Sequence, residues 1–396
     1  MVQLLLAAAL VPQTPLSVDT IQPERGPTVL IHRQASPLVA LRLSAPAPVA
    51  LPEGSAELLQ ELARPEAQAE ARRFGARLDL RHEDGRSIIA VTGPATAFDA
   101  LVAILRRATG EPDLSVSALR RARARTEDRV LARLEQPGPR IRRLLRHAVY
   151  GGPVPWGAAA TGLDPESVRG LRARVYDPAR TRVVLVGSIP EAVIRSAFSR
   201  WPAAGGGPVA VGDTTARARP QAHREWGGLA FPVDSDPAVL AVTAELVQER
   251  LGRTRLLYGS VEAWHGPAAA LALIGAAAPD DSVVRATAGI SALPVQGDSV
   301  SAPPVGRYLR RLVAEAAALA GPRAVVEARA AVRRRLLVEA RTAAGKAEVI
   351  GRITDDLAGA ITPESLLLRL EAVDRTAVRS LLARILETPA LVAEAR

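Results

Sequence analysis

Three observations predict an α+β fold built from two related halves, each a mainly antiparallel sheet packed with helices. The first is element order. β-patterned and helical runs succeed one another as strands, a helix, a hairpin, several helices, one strand and one helix. The second is Asp84-Gly85, a turn-forming dipeptide between two β-patterned runs. The third is recurrence: after a Gly- and Pro-rich stretch near the middle, strand, helix, strand pair and helices begin again. A chain of 396 residues suits two such units. The expected division is a tail over 1–24, a first domain over 25–201, a linker over 202–223 and a second domain over 224–396.

Taken in order, Thr28–Arg33 and Pro37–Leu51 read as strands, the second alternating at Leu41 and Leu43. Gly54-Ser-Ala-Glu57-Leu-Leu-Gln60-Glu61-Leu62 follows as a helix with Pro52 and Glu53 at its start. Pro65 is expected to stop it, leaving Glu66–Phe74 as a separate helical turn. The hairpin Arg77–Val91 comes next. Helices are then expected over Thr96–Thr109, Leu114–Glu135, Arg140–Tyr150 and Pro165–Tyr176, then a strand over Arg180–Ser188 and a helix over Pro190–Phe198. In the second half, strands fall on Leu229–Val233, Leu256–Trp264, Ala268–Ala278 and Leu391–Ala395. Helices fall on Pro237–Leu251, Tyr308–Leu319, Pro322–Ala343, Ala347–Ala360, Pro363–Leu370 and Arg375–Leu386.

Composition excludes several classes of function. There is no cysteine, hence no disulfide, thiolate metal site or cysteine nucleophile. The five histidines, at 32, 82, 147, 223 and 265, include no pair at i,i+3 or i,i+4, so no local two-histidine metal motif exists. The net charge of +10 invites a nucleic-acid reading. Its cations are Arg apart from Lys346, and they are spread among Asp and Glu along helices. The densest basic stretch, Arg120 to Arg133, is read as a solvated helix face. Val2–Val11 is an apolar run of signal-peptide length with Ala7 and Ala9 as small residues for processing, so a periplasmic or secreted location is expected, with a cytoplasmic one as the alternative. Ten residues cannot span a bilayer.

On a helix, residues four apart share a face, so Glu57 and Glu61 point together with Gln60 beside them. An inverted zinc-peptidase motif, H-x-x-E-H, uses this geometry to present two imidazoles to a metal and a carboxylate to its water. With the strands before it, Gly75 and the Asp84-Gly85 hairpin after it, Val154-Pro-Trp-Gly157 with Gly162, and Tyr176-Asp-Pro178 leading into Val183-Val-Leu-Val-Gly187, the chain resembles the pitrilysin, insulin-degrading-enzyme and mitochondrial-processing-peptidase superfamily. The resemblance covers most of 25–396.

Carried over residue by residue, the resemblance puts the two zinc-binding histidines on Glu57 and Glu61, the general base on Gln60 and the third ligand near Arg133. It therefore implies a pseudopeptidase without a metal of its own, zinc being supplied by an active partner. It also implies a substrate-holding pair in the second half: Tyr258 matches the family tyrosine, and Arg250 lies one residue from the family arginine. The expected partners are a zinc-bearing homologous subunit or a second copy of this chain, and a peptide substrate, with neither nucleic acid nor a membrane span. The alternatives are a structural or assembly protein of the same fold and, behind it, a metallopeptidase with ligands displaced to Glu57, Glu61 and His82.

Overall fold

The computed structural model describes residues 16–46, 51, 54–83, 85–151, 159–199, 201, 226–253, 257–266, 268–277, 304–357, 359 and 361–395. The apolar run at Val2–Val11, Asp84 of the hairpin turn, the Val154–Gly157 loop and the expected linker fall outside them.

The first half contains β1 (Asp19–Ile21), β2 (Thr28–His32), β3 (Leu38–Pro46), α1 (Ser55–Arg73), β4 (Arg77–Glu83), β5 (Arg86–Pro94), α2 (Phe98–Thr109), α3 (Val116–Glu135), α4 (Pro137–Tyr150), α5 (Pro165–Val175), β6 (Arg182–Val186) and α6 (Glu191–Ser199). The second contains β7 (Trp226–Pro232), α7 (Pro237–Gly252), β8 (Leu257–Trp264), β9 (Ala270–Ala277), α8 (Pro304–Leu319), α9 (Pro322–Glu339), α10 (Ala343–Asp356), α11 (Pro363–Ala372), α12 (Arg375–Glu387) and β10 (Leu391–Ala395). The fold is α+β, as the pattern predicts.

Two elements depart from the expected ones. Helix α1 does not stop at Pro65 but runs through it to Arg73. A mid-helix proline costs about 3 kcal/mol. Here the apolar stripe continues across it, Leu58 and Leu62 before and Ala67 and Ala71 after, all buried in one core, and that packing holds the helix together. The single helix expected over Pro322–Ala343 ends at Glu339, and the next begins at Ala343, where the Thr342 side chain accepts a hydrogen bond from the Gly345 amide as its cap. In addition, β1, which lies within the stretch read as a tail, pairs with β2.

The first sheet has the order β1-β2-β6-β3-β5-β4, antiparallel except where β2 meets β6; the second has the order β10-β7-β9-β8. If β3, β4, β5 and β6 are matched to β7, β8, β9 and β10, the four-strand orders are the same. The two halves thus share one plan.

The halves also exchange helices. Helix α4 of the first half packs on β7, β9 and β10, and α10 of the second half packs on β3, β6 and β5. Both faces of the first sheet are therefore covered, which explains the unbroken apolar run of β6. Val183 and Leu185 enter the core beneath α1 and α2, while Val184 and Val186 join Leu240, Ile350 and Leu381 in the core of the second half.

Candidate functional site

The site begins with α1, which turns Glu57, Gln60 and Glu61 inward, all three buried. Helix α3 lies alongside and supplies cations. Arg133 Nη2 donates to Glu57 Oε1 at 2.6 Å, and Arg129 forms an ion pair with Glu61. Arg64 Nε donates to Glu61 Oε1 at 2.9 Å from the same helix. His82, on edge strand β4, brings Nδ1 to 4.0 Å from Glu57 Oε2. Burial pushes the Glu57 carboxyl upward, but the charges of His82 and Arg133 outweigh it and hold the group below the usual carboxylate range. Glu57 is therefore anionic at neutral pH.

Gln60 works differently. Its Nε2 donates to the Arg81 carbonyl at 2.7 Å and to Ser87 Oγ at 2.8 Å, and Ser87 Oγ lies 2.9 Å from the Tyr176 hydroxyl. Loss of solvent pushes that phenol up to about 12. This neutral chain ties α1 to β4, β5 and the end of α5. Tyr176 enters the sequence comparison as part of a strand-preceding motif, and its contact with Ser87 shows what it does: it closes the floor of the site.

The structure thus brings Glu57, Gln60, Glu61 and Arg133 together. It also adds to the reading of Arg120 to Arg133 as a solvated face. Arg120 and Arg121 are exposed, but Arg125, Arg129 and Arg133 all reach the buried acids of α1. Glu57 and Glu61 on one helix and Arg125, Arg129 and Arg133 on the other, each at a spacing of four, were the available signal. Which helices would meet was not in the spacing.

Arg250 lies near the end of α7, half-buried, with Nη2 3.5 Å from Glu315 Oε2 on α8. The backbone of Tyr258 is in β8, opposite Ala276 of β9. Among the described residues no group of three or more His, Asp or Glu is arranged to hold a metal ion, and no helix is long and apolar enough to cross a membrane.

A second polar region carries no local sequence signal. A cleft of about 410 Å³ lies between the halves, lined by Arg42, Arg81, Arg86, Arg142, Glu262 and Glu348 among others. At its floor Arg42 of β3 donates through Nη1 to Asp355 Oδ2 at 2.8 Å and through Nε to Glu348 Oε2 at 3.2 Å. The guanidinium lies so close to α10 that a β-carbon on Gly351 would overlap it. Across the cleft Arg142 of α4 holds Glu262 of β8, which also accepts from Ser260 Oγ and Trp264 Nε1.

Nearly all of the chain, 96%, superposes on solved proteins despite low identity. A peptidase M16 inactive domain from Pseudomonas fluorescens matches with a TM-score of 0.69 at 14% identity, over 96% of this chain and 98% of that one. The fold is that of the M16 peptidases. A protease from Helicobacter pylori matches with a TM-score of 0.74 at 10% identity, over 96% of this chain and 99% of that one. An M16-like peptidase from Alicyclobacillus acidocaldarius gives 0.71 at 13% identity, over 96% and 98%. No family model matches the sequence, and no curated protein matches it. This is the fold that the resemblance implied.

Proposed function

We propose that this chain is a non-catalytic protein of the M16 fold, the metal-free subunit that pairs with a zinc-bearing homologue and helps to bind or position its peptide substrate. One observation carries the reading: the residues at the inverted-motif positions are engaged as ion pairs and amide hydrogen bonds. Glu57 and Glu61 are neutralised by Arg133, Arg129 and Arg64. A zinc ion there would have to displace those guanidiniums or sit against them, and zinc sites need about three protein donors around an open water position. Gln60 cannot take a proton from a water molecule, and its amide is spent on Arg81 and Ser87. The donor set does not fit zinc. β4 is the last strand of its sheet beside this cluster, a position that suits an extended peptide adding as a strand.

The test is metal analysis of the purified chain together with peptide cleavage, alone and mixed with a zinc-motif homologue from the same organism. Little bound zinc, no cleavage alone and cleavage gained or enhanced on mixing are expected. Stoichiometric zinc with chelator-sensitive cleavage by the chain alone would overturn the reading. A reversion sharpens it. Glu57→His, Gln60→Glu and Glu61→His together should still bind zinc poorly, because Arg133 remains in place; adding Arg133→Glu should raise zinc affinity by orders of magnitude in a competition titration with a chromogenic chelator.

A second reading, a structural or assembly protein of the same fold, draws on Arg250. That side chain is held by Glu315, which Arg311 shares, rather than presented to a substrate. Replacing Arg250 with Ala and Tyr258 with Phe separates the two. Loss of the enhancement on mixing supports the accessory subunit, and unchanged enhancement supports the structural one.

A further inference from the structure

Helices α1 and α3 run antiparallel, and their charges meet as rungs. Glu57 faces Arg133 and Glu61 faces Arg129, each step covering four residues on both helices. The next rung has a cation but no anion. Arg125 continues the arginine row, whereas four residues beyond Glu61 helix α1 has Pro65. Arg125 therefore turns to the acid already in use, with Nη1 3.9 Å from Glu61 Oε2, and Arg64 holds that carboxylate from the other side. Among the described residues, three guanidiniums, those of Arg64, Arg125 and Arg129, face the single carboxylate of Glu61. Arginine does not lose its proton in proteins, so the surplus is permanent.

The surplus is also on the outside. The Glu61 side chain is 0% exposed, whereas Arg125 and Arg129 are 54% and 45% exposed. Solvent meets the cations and not the acids that hold them. On the neighbouring strand β4, Asp79 and Glu83 share Arg81 with each other, and among the described residues neither forms an ion pair with Arg125 or Arg129. On α3 itself Glu127 and Asp128 are exposed, and among the described residues no ion pair joins either to Arg125 or Arg129. Each guanidinium carries five N–H donors in a planar fork that matches a carboxylate, and Glu61 occupies only part of those on Arg125 and Arg129.

We propose that the row Arg125–Arg129, anchored from beneath by Glu61, is a binding site for carboxylate side chains, and that the peptides this chain takes are acidic. The proposal rests on the peptide-binding reading above and names its substrate class. The buried acids preset the guanidinium heads, so binding needs little further ordering of long side chains.

The test uses the full chain and two labelled peptides of equal length, one rich in Glu and the other with Gln at the same positions, followed by fluorescence anisotropy. The acidic peptide should bind about tenfold more tightly at low ionic strength, equivalent to about 1.4 kcal/mol, and the two should converge as salt is raised. Arg125→Gln should remove about threefold of the preference and Arg125→Glu should abolish it. Since Arg125 is more than half exposed, both variants should fold. Equal binding of the two peptides by the native chain would overturn the acidic assignment while leaving peptide binding intact, as would a preference that survives Arg125→Glu. Binding of neither peptide would remove both readings. Tighter binding of a short single-stranded DNA than of the acidic peptide would reassign the row to phosphate.

Discussion

The two exchanged helices solve one packing problem with opposite chemistry. Where α10 crosses the first sheet, the central contact is ionic: Arg42 and Asp355 are each 3% exposed and joined at 2.8 Å, with Glu348 alongside. Where α4 crosses the second sheet, the equivalent strand β7 offers Gly228, against which Ile141 and Leu145 lie so closely that a β-carbon would meet both. Small residues stand on both sides of the comparison, Gly351 on the helix at one junction and Gly228 on the strand at the other. In the first the space is filled by a guanidinium and in the second by two aliphatic side chains. The lesson is that a shared topology fixes which elements touch and leaves the kind of contact open. A buried ion pair is weak evidence for stability, because desolvation offsets much of its attraction, whereas aliphatic packing adds stability directly.

The largest effect should come from breaking the ionic junction on one side. Asp355→Ala leaves Arg42 buried without its main partner and should cost about 3–5 kcal/mol in denaturant unfolding. The sharper test is Arg42→Met with Asp355→Leu. If the pair is worth little net, the double variant should recover most of that loss; an additive double loss would mean that the ion pair itself holds α10 in place. Next comes the apolar junction, where Leu145→Ala should cost about 2–4 kcal/mol with no rescue by any charge change. Gly228→Ala should cost about 1–3 kcal/mol through overpacking against Ile141 and Leu145.

The junctions should also differ in acid. Each has a neutral histidine close by, His32 buried and His265 half-buried. Burial lowers the pKa of His32, whose Nε2 lies 3.2 Å from Lys346 Nζ of α10, and burial takes that of His265, beside the α4 contact of Gly266 with Tyr150, down to about 4. A histidine with a lowered folded pKa contributes stability that is present above about pH 6.5 and lost as pH falls toward the folded value. Both junctions should therefore weaken as pH falls below about 6.5, the α4 junction down to about pH 4. Glu348 adds a second step at α10. Burial raises its pKa, but Arg42 and Arg81 outweigh burial and hold it low, so its contribution is present above about pH 4.3 and lost below as it protonates. Hydrogen exchange followed by mass spectrometry should show a further loss of protection in α10 and β3 below pH 4 that His32→Gln does not remove. The smallest effect is expected at Arg250→Ala, which breaks one partly exposed pair and should change stability by less than about 1 kcal/mol.

Much of the fold was legible because local patterns agreed with it. The hairpin came from its turn dipeptide, and the observed register sets Glu83 opposite Arg86. Most helices matched their apolar periodicity. Pro65 misled because intrinsic propensity is a local quantity, and the stripe from Leu58 to Ala71 overrode it. β1 was missed because three residues carry no periodicity. In the site, Glu57, Gln60 and Glu61 followed from a spacing of four on one helix, and Arg133 from its place in a family pattern. Arg129, Arg125 and Arg64 had the look of ordinary surface charge until α3 was laid against α1.

The sequence by itself determined most elements and the pair of carboxylates four apart on α1, since each is written within about twenty neighbouring residues. Tertiary structure alone decided that those carboxylates meet a row of arginines one rung too long. It alone decided, too, that Arg42 finds Asp355 more than three hundred positions away. Contacts between distant segments depend on which faces the sheets and helices bury together. A charge pair has no period by which a linear reading could find it.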